Sequence, residues 1–281
     1  MTEVESPAAL VAARAESLAR ATDTRLGESP AVERPRALGS GFGADDVGLP
    51  SLVATLVGGA ASESAVQTGV AVEALDRQGQ VLATVLDGAA ECDRGSATDD
   101  VAGLLLWSDW LHARSYQLLL ETAGSEERVV SAVRTMGQEV VSRNGSRTRV
   151  DGSVTAVSSV LTDEDDVSVI VRGGGCSCAS AARIGGLVGG VGTEALVRAT
   201  AYGESIDDLV RADGRSAPHE ADTTTRSHGV SETGAGGPTG KASRGEGSES
   251  TVSASSPESV CWPALRWLQQ AVDGAAVGVG Q

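Results

Sequence analysis

The sequence predicts an all-α fold, a helical bundle around a central, largely apolar cavity. Apolar residues recur at helical spacing in several long segments, and these segments show no sustained strand-type alternation. The chain of 281 residues is 41% hydrophobic, which is enough to bury one large core. Frequent valines favour an α/β fold as the alternative, because β-branched residues lower helix propensity.

The first half of the chain contains three of these helical segments. Residues 7–23 have the apolar spacing of an amphipathic helix, with Pro7 suited to its first turn. Residues 28–50 are rich in glycine and proline and are predicted to form a connection. Residues 49–61 and 65–87 are then predicted to be two core helices that a short turn separates.

A more unusual helix is predicted at residues 104–120, LLLWSDWLHARSYQLLL. Asp109, His112 and Tyr116 form one polar stripe, because they follow at helical spacing. Four apolar residues lie on the opposite side: Leu104, Trp107, Leu111 and Leu118. The stretch is too short and too charged to span a bilayer. We expect the stripe to line the central cavity, with Asp109 and His112 as a hydrogen-bonded pair or, alternatively, as a catalytic dyad.

The second half of the chain is more varied. Residues 127–143 predict another helix, and residues 149–175 are polar, β-branched and undecided between helix and strand. In residues 179–212 small side chains crowd one face, as they do where helices pack closely. Residues 215–259 contain hardly any large apolar side chain and are predicted to be disordered. A last helix, at residues 260–274, is expected to dock back on the core.

The chain therefore divides into three predicted parts. These parts are a helical domain at residues 1–214, the disordered segment at residues 215–259 and a C-terminal helix at residues 260–281.

The charge of the chain limits its partners. With 38 acidic and 22 basic side chains the formal net charge is −16, and Lys241 is the one lysine. Such an acidic surface is typical of a halophilic protein and argues against nucleic-acid binding, which needs a basic face. The first residues do not resemble a cleaved secretion signal, so we expect a cytoplasmic protein without a transmembrane segment.

The cysteines predict neither a disulfide framework nor a firm metal site. Cys92, Cys176, Cys178 and Cys261 are few and scattered, which favours reduced thiols. Cys176 and Cys178 alone have the spacing of a soft-metal pair, but the second ligand pair of a zinc site is missing.

A series of short motifs follows one order along the chain. The motifs are LPSLVATL at 49–56, Ala71-Val72-Glu73, Arg94-Gly95 with Thr98, Asp109 with Leu111, and Tyr202-Gly203 after a small-residue helix. This order resembles that of the trans-isoprenyl diphosphate synthases, the polyprenyl synthetase family, over roughly residues 7–213. The resemblance implies that family's helical bundle.

The resemblance also implies a set of site residues. In the family, two aspartate-rich clusters on facing helices hold magnesium ions that clamp the leaving diphosphate of an allylic substrate. Carried over to this chain, the implied Mg²⁺ ligands are Asp87, Glu91 and Asp93 in one cluster and Asp207 and Asp208 in the other. The implied diphosphate contact is Arg94, for which an ordinary surface arginine is the alternative.

Several family positions are substituted in this chain. Gly88 replaces the adjacent second aspartate of the first cluster, and Arg211 stands at the third acid of the second. Residues 174–177 contain no lysine where the family has its Lys-Thr element, and Leu49 replaces an arginine before Pro50.

These substitutions leave three functions open. The first is an isoprenoid-biosynthesis protein with impaired or lost prenyltransferase activity, acting as partner or regulatory subunit of an active isoprenyl diphosphate synthase or pairing as a homodimer. The second is an active prenyltransferase that condenses isopentenyl diphosphate with an allylic diphosphate. The third is a carrier of an apolar ligand.

Overall fold

The protein is an all-α helical bundle. The computed structural model describes residues 6–26, 46–59, 62–91, 98–146, 168–170, 176–216 and 262–278. Within these ranges it has helices α1 (Pro7–Leu26), α2 (Leu49–Val57), α3 (Glu63–Glu91), α4 (Thr98–Leu120), α5 (Glu126–Ser146), α6 (Cys178–Val188), α7 (Thr193–Ser216) and α8 (Trp262–Gly278), and strands β1 (Asp46–Gly48) and β2 (Ser168–Ile170). The predicted all-α class is confirmed.

Helices α2 and α3 form the centre of the bundle. Every residue of α2 is buried, and α3 is buried on all sides between residues 67 and 79. A helix that is apolar around its whole circumference has to lie inside a core. Around this centre, α2 packs on α6 and α3, and α3 packs on α4 and α1. The valine-rich segments are therefore helices, because complete burial outweighs the weak helix propensity of valine.

Helices α2 and α6 pack at very short range through small residues. A Cβ atom on Gly185 would overlap the carbonyl oxygen of Ala54, and one on Gly189 would overlap that of Gly58. The close helix contact that the small residues of 179–212 predicted is therefore present, between α2 and α6.

The two strands are a minor feature with one structural consequence. They pair in parallel, with Val47 opposite Val169, and so bring residues 168–170 next to the start of α2. These three residues are the described part of the segment that was undecided between helix and strand.

The last helix packs on α7 and α1. Arg198 lies 4.5 Å from the ring centre of Trp262, and the Gln269 side chain donates to Ser205 Oγ at 2.7 Å. Residues 217–261 lie outside the described ranges, and residues 215 and 216 end α7. The three-part division and the disorder of residues 215–259 stay predictions.

Candidate functional site

A buried carboxylate, Glu73, lies at the centre of the bundle. Its Oε2 accepts hydrogen bonds from the Gly48 backbone N–H at 2.8 Å and from Ser51 Oγ at 2.7 Å. Its Oε1 accepts from Arg77 Nε at 2.8 Å, one helical turn further along α3. The Glu73 side chain is 0% exposed and that of Arg77 is 7% exposed. A buried charge is tolerated only when it is paired and hydrogen-bonded, and these four residues, the Glu73 cluster, meet that condition.

Gly48 is the residue that lets the chain approach this carboxylate. A Cβ atom there would lie 2.9 Å from Glu73 Oε2 and 3.1 Å from Asp76 Oδ2. Any side chain at position 48 would therefore displace the two acids. Asp76 is also fully buried, so two carboxylates of α3 face the start of α2.

The α6 N-terminus, residues 177–180, is a second polar centre. Ser177 is the N-cap residue, and its Oγ accepts from the Ser180 N–H at 3.2 Å. Asp207 of α7 accepts from the N–H groups of Cys178 at 2.8 Å and Ala179 at 3.1 Å. Glu139 of α5 accepts from the Ser177 N–H at 3.1 Å and from the hydroxyl of Ser180. Side chains of this chain therefore take up all four of these backbone donors.

The geometry of α7 explains how Asp207 reaches this position. Gly203 lies one turn before Asp207, and a Cβ atom on it would lie 2.6 Å from the backbone nitrogen of Ala179. The missing side chain lets α7 cross close to α6, which brings the next turn of α7 against the α6 N-terminus.

A helix N-terminus is positive, because its first N–H groups have no partner within the helix. Such an end is a ready anion site. Here two carboxylates of the same chain occupy it, so it is closed to an external anion unless they move.

The Cys178 thiol belongs to the same centre. Burial, first, and then the negative charge of Asp207 raise the pKa of this thiol well above its ordinary value, with smaller contributions from Cys176 and Asp76. A thiol that keeps its proton is a poor nucleophile and a poor metal ligand. Both cysteines are free and buried, and the described residues contain no group of three potential ligands that could hold a metal.

The structure leaves most of the predicted metal ligands undecided. Asp87 and Glu91 fall in the last turns of α3, where side chains are outside the described part, and Asp93 and Arg94 lie in the undescribed residues 92–97. Asp208 is exposed on α7. For these residues the Mg²⁺ and diphosphate roles stay predictions.

The prediction that the polar stripe of α4 lines a cavity is wrong for Asp109. Asp109 is exposed, and His112 and Tyr116 are half-buried, with their ring centres 5.1 Å apart. The opposite side is as predicted, because Leu104, Trp107, Leu111 and Leu118 are all buried. Since α4 lies at the edge of the bundle, its apolar side meets α3, and the stripe points outward.

The described residues form a groove of about 330 Å³ between Arg183 of α6 and residues 193–204 of α7. It lies on the outside of the bundle, since Arg183 and Val197 are exposed. The central cavity stays a prediction.

Sequence reasoning did not select Glu73, Asp76 or Glu139 as site residues. A signal was present for the first two, because VAVEALDR places two acids and an arginine inside a long apolar segment. Glu73 and Arg77 are also four residues apart, the spacing of an ion pair within a helix. Glu139 had no such signal, since its partners lie 38 and 41 residues further along the chain.

Comparison with known proteins adds no relative. No family model and no curated protein matches the chain. In the part of the chain that the structure describes, no helix combines the length and the apolar character needed to cross a membrane.

Proposed function

We propose that this protein is a polyprenyl-diphosphate-synthase-like protein that has lost prenyltransferase activity and acts as a partner or regulatory subunit in isoprenoid biosynthesis. The observation that carries the proposal is the closed α6 N-terminus, where Asp207 and Glu139 accept the hydrogen bonds of residues 177–180.

The resemblance places the family's Lys-Thr element directly before this helix. In this chain residues 174–177 are Gly-Gly-Cys-Ser, so the lysine that would attract a diphosphate is missing. A diphosphate approaching α6 would meet two carboxylates and would have to replace them on the N–H groups. Like charges at contact distance are unfavourable, and most strongly so where burial reduces screening by water. This arrangement favours a protein that does not bind the diphosphate there.

The engagement of Asp207 also depletes the implied magnesium site. Both of its oxygens accept backbone N–H groups, so binding Mg²⁺ would cost the cap of α6. Magnesium prefers near-octahedral oxygen coordination, and the substitutions at Gly88 and Arg211 have already removed two of the family's carboxylates.

A partner role is supported by the outward side of α4. Leu105, Leu106 and Leu120 are 43%, 58% and 62% exposed. Large apolar side chains grouped on one exposed helix face are typical of protein–protein contacts. We place this role in the cytoplasm, where the protein would pair with an active isoprenyl diphosphate synthase and change its rate or product length.

The test is an elongation assay in molar salt with Mg²⁺, isopentenyl diphosphate and allylic primers of several lengths. We expect no product from the protein alone, and no binding of inorganic pyrophosphate in a calorimetric titration. A purified trans-isoprenyl diphosphate synthase is then added, and we expect a mixed complex together with a changed rate or product length.

An active prenyltransferase would give a different pattern. Elongation by the protein alone that Asp87→Ala abolishes would overturn the proposal, and would show that Asp87, Glu91 and Asp93 hold Mg²⁺. The matched control is Asp23→Ala, which removes an exposed acid from α1 and should leave elongation unchanged.

A further inference from the structure

The outward side of α4 carries a pattern that the proposed function does not specify. Six residues follow one another at alternating spacings of four and three: Ala102, Leu106, Asp109, Ala113, Tyr116 and Leu120. Tyr116 is half-buried and the other five are exposed. Spacings of three and four are those of the seam of a coiled coil, in which two helices pack side by side. We call these six residues the α4 seam.

The seam is poor in charge for its position. From Val101 to Leu120 the charged side chains are Asp109 and Arg114, although the whole chain carries a net charge of −16. Solvent-facing helices in so acidic a chain would ordinarily be rich in acids. The face also concentrates exposed apolar groups, since five of the six large apolar residues exposed in the described part lie on α4 or α5. These two facts favour a surface that another protein covers.

The order of side chains along the seam is complementary to itself when it is reversed. Two antiparallel copies of α4 that cross near residue 111 place Ala102 opposite Leu120 and Leu106 opposite Tyr116. Asp109 then lies opposite Ala113 of the second copy. Small residues face large ones at the ends, which allows close packing without overlap. A parallel pair would instead place Leu120 against Leu120 and Asp109 against Asp109, which leaves a like-charge contact in the seam.

The charges of the seam fit the same arrangement. In the antiparallel register Asp109 lies beside His112 of the second copy, which immediately precedes the small Ala113. The two-fold axis repeats this contact, so each acid meets an imidazole. A polar residue at a seam position costs stability but fixes the register of the two helices.

We propose that two copies of this chain form an antiparallel homodimer through the α4 seam. The inference deepens the proposed partner role and takes its biological meaning from it, since it names the chain's own copy as a partner of this surface. The seam runs from residue 102 to residue 120, roughly 27 Å of helix, and the two-fold axis doubles every contact.

The first test measures the mass of the purified full chain in molar salt by light scattering and analytical ultracentrifugation. We expect a dimer. The variant Leu106→Glu/Leu120→Glu should associate on the order of 100-fold more weakly, because it puts acids into both ends of the seam. The matched control is Val197→Glu, which adds the same charge at an exposed valine of α7 and should leave the dimer unchanged. Circular dichroism melts check that each variant is folded.

The second test fixes the register by cross-linking. The variant Ala102→Cys/Leu120→Cys should form a covalent dimer under mild oxidation, because the antiparallel pair brings the two positions together. Leu120→Cys alone should not, because its counterpart lies at the far end of the second helix.

Three outcomes would overturn the inference. They are a monomeric parent chain, a dimer that survives the double glutamate substitution, and a covalent dimer of Leu120→Cys alone. None of them bears on whether the protein elongates prenyl chains or binds pyrophosphate, so this inference and the proposed function fail separately.

Discussion

The α6 N-terminus and the α4 seam each hold groups in an environment that such groups ordinarily avoid. At the first, carboxylates lie in a largely buried place, and at the second, leucines lie in solvent. The acids have partners within the chain, because Asp207 and Glu139 accept N–H groups of residues 177–180. Among the described elements, nothing covers the leucines. We conclude that the first region stabilises the fold, whereas the second is available to a partner.

The largest expected effect is at the buried centre, where Glu73 is fully enclosed. Glu73→Ala would leave Arg77 buried without its carboxylate and would deprive Ser51 and Gly48 of their acceptor. We expect a loss of about 3–5 kcal/mol in the free energy of unfolding, the usual result of breaking a buried ion pair. Denaturant melts in molar salt measure it, and Glu73→Gln should lose less because it keeps an acceptor.

The control for Glu73→Ala is an exposed pair of the same spacing. Glu16 and Arg20 lie 3.7 Å apart with most of their side chains in solvent, so Glu16→Ala should change stability little. Equal losses in the two variants would show that Glu73 is not buried as described here.

A smaller loss is expected at the α6 N-terminus. Asp207→Ala would leave the N–H groups of Cys178 and Ala179 without an acceptor, at a cost of about 1–3 kcal/mol. Asp207→Asn should cost less, because the amide oxygen still accepts one hydrogen bond. Asp208→Ala is the neighbouring control on the exposed side of α7, and thermal melts should show it close to the parent. If Asp208→Ala proved the more damaging of the two, the capping role of Asp207 would be refuted.

The same centre predicts a pH dependence. Burial and the Asp207 charge raise the pKa of the Cys178 thiol, so the unfolded chain releases this proton at lower pH than the folded protein. The contribution to stability is therefore complete below about pH 8.5, the ordinary thiol value, and is lost as the pH rises through the folded pKa. Plots of unfolding free energy against pH should fall less steeply on the alkaline side for Cys178→Ala than for the parent. Parallel plots would contradict the assignment.

The smallest effect is expected at Asp109, in the middle of the seam. Because this side chain is exposed, Asp109→Ala should change folding stability by no more than about 0.5 kcal/mol. Thermal melts of monomeric Leu106→Glu/Leu120→Glu protein, with and without this substitution, separate folding from pairing. A loss of several kcal/mol would show that Asp109 faces the interior after all.

Much of the fold follows from local pattern. The apolar period of residues 7–23 and the continuous apolar runs at 49–61 and 65–87 correspond to α1, α2 and α3, since amphipathic period and length depend on neighbouring residues alone. The candidate site was less accessible. Glu73 bonds to residues 22 and 25 positions away, and Asp207 to residues 28 and 29 positions away. One sequence contains no signal for pairings at such separations.

The sequence by itself determined that α4 has two unlike sides, with Leu104, Trp107, Leu111 and Leu118 opposite Asp109, His112 and Tyr116. Helical geometry requires this division, because each residue turns the chain through a fixed angle. Only the tertiary structure decided which side the bundle covers. The apolar side packs on α3, so the polar stripe faces outward rather than into a cavity. Likewise the sequence placed acids at 73 and 207, but it was the meeting of α3 with the start of α2, and of α7 with α6, that made one a buried ion-pair partner and the other a helix cap. Periodicity fixes angles within one helix, whereas the neighbours of that helix are set by how all the apolar faces can be buried together.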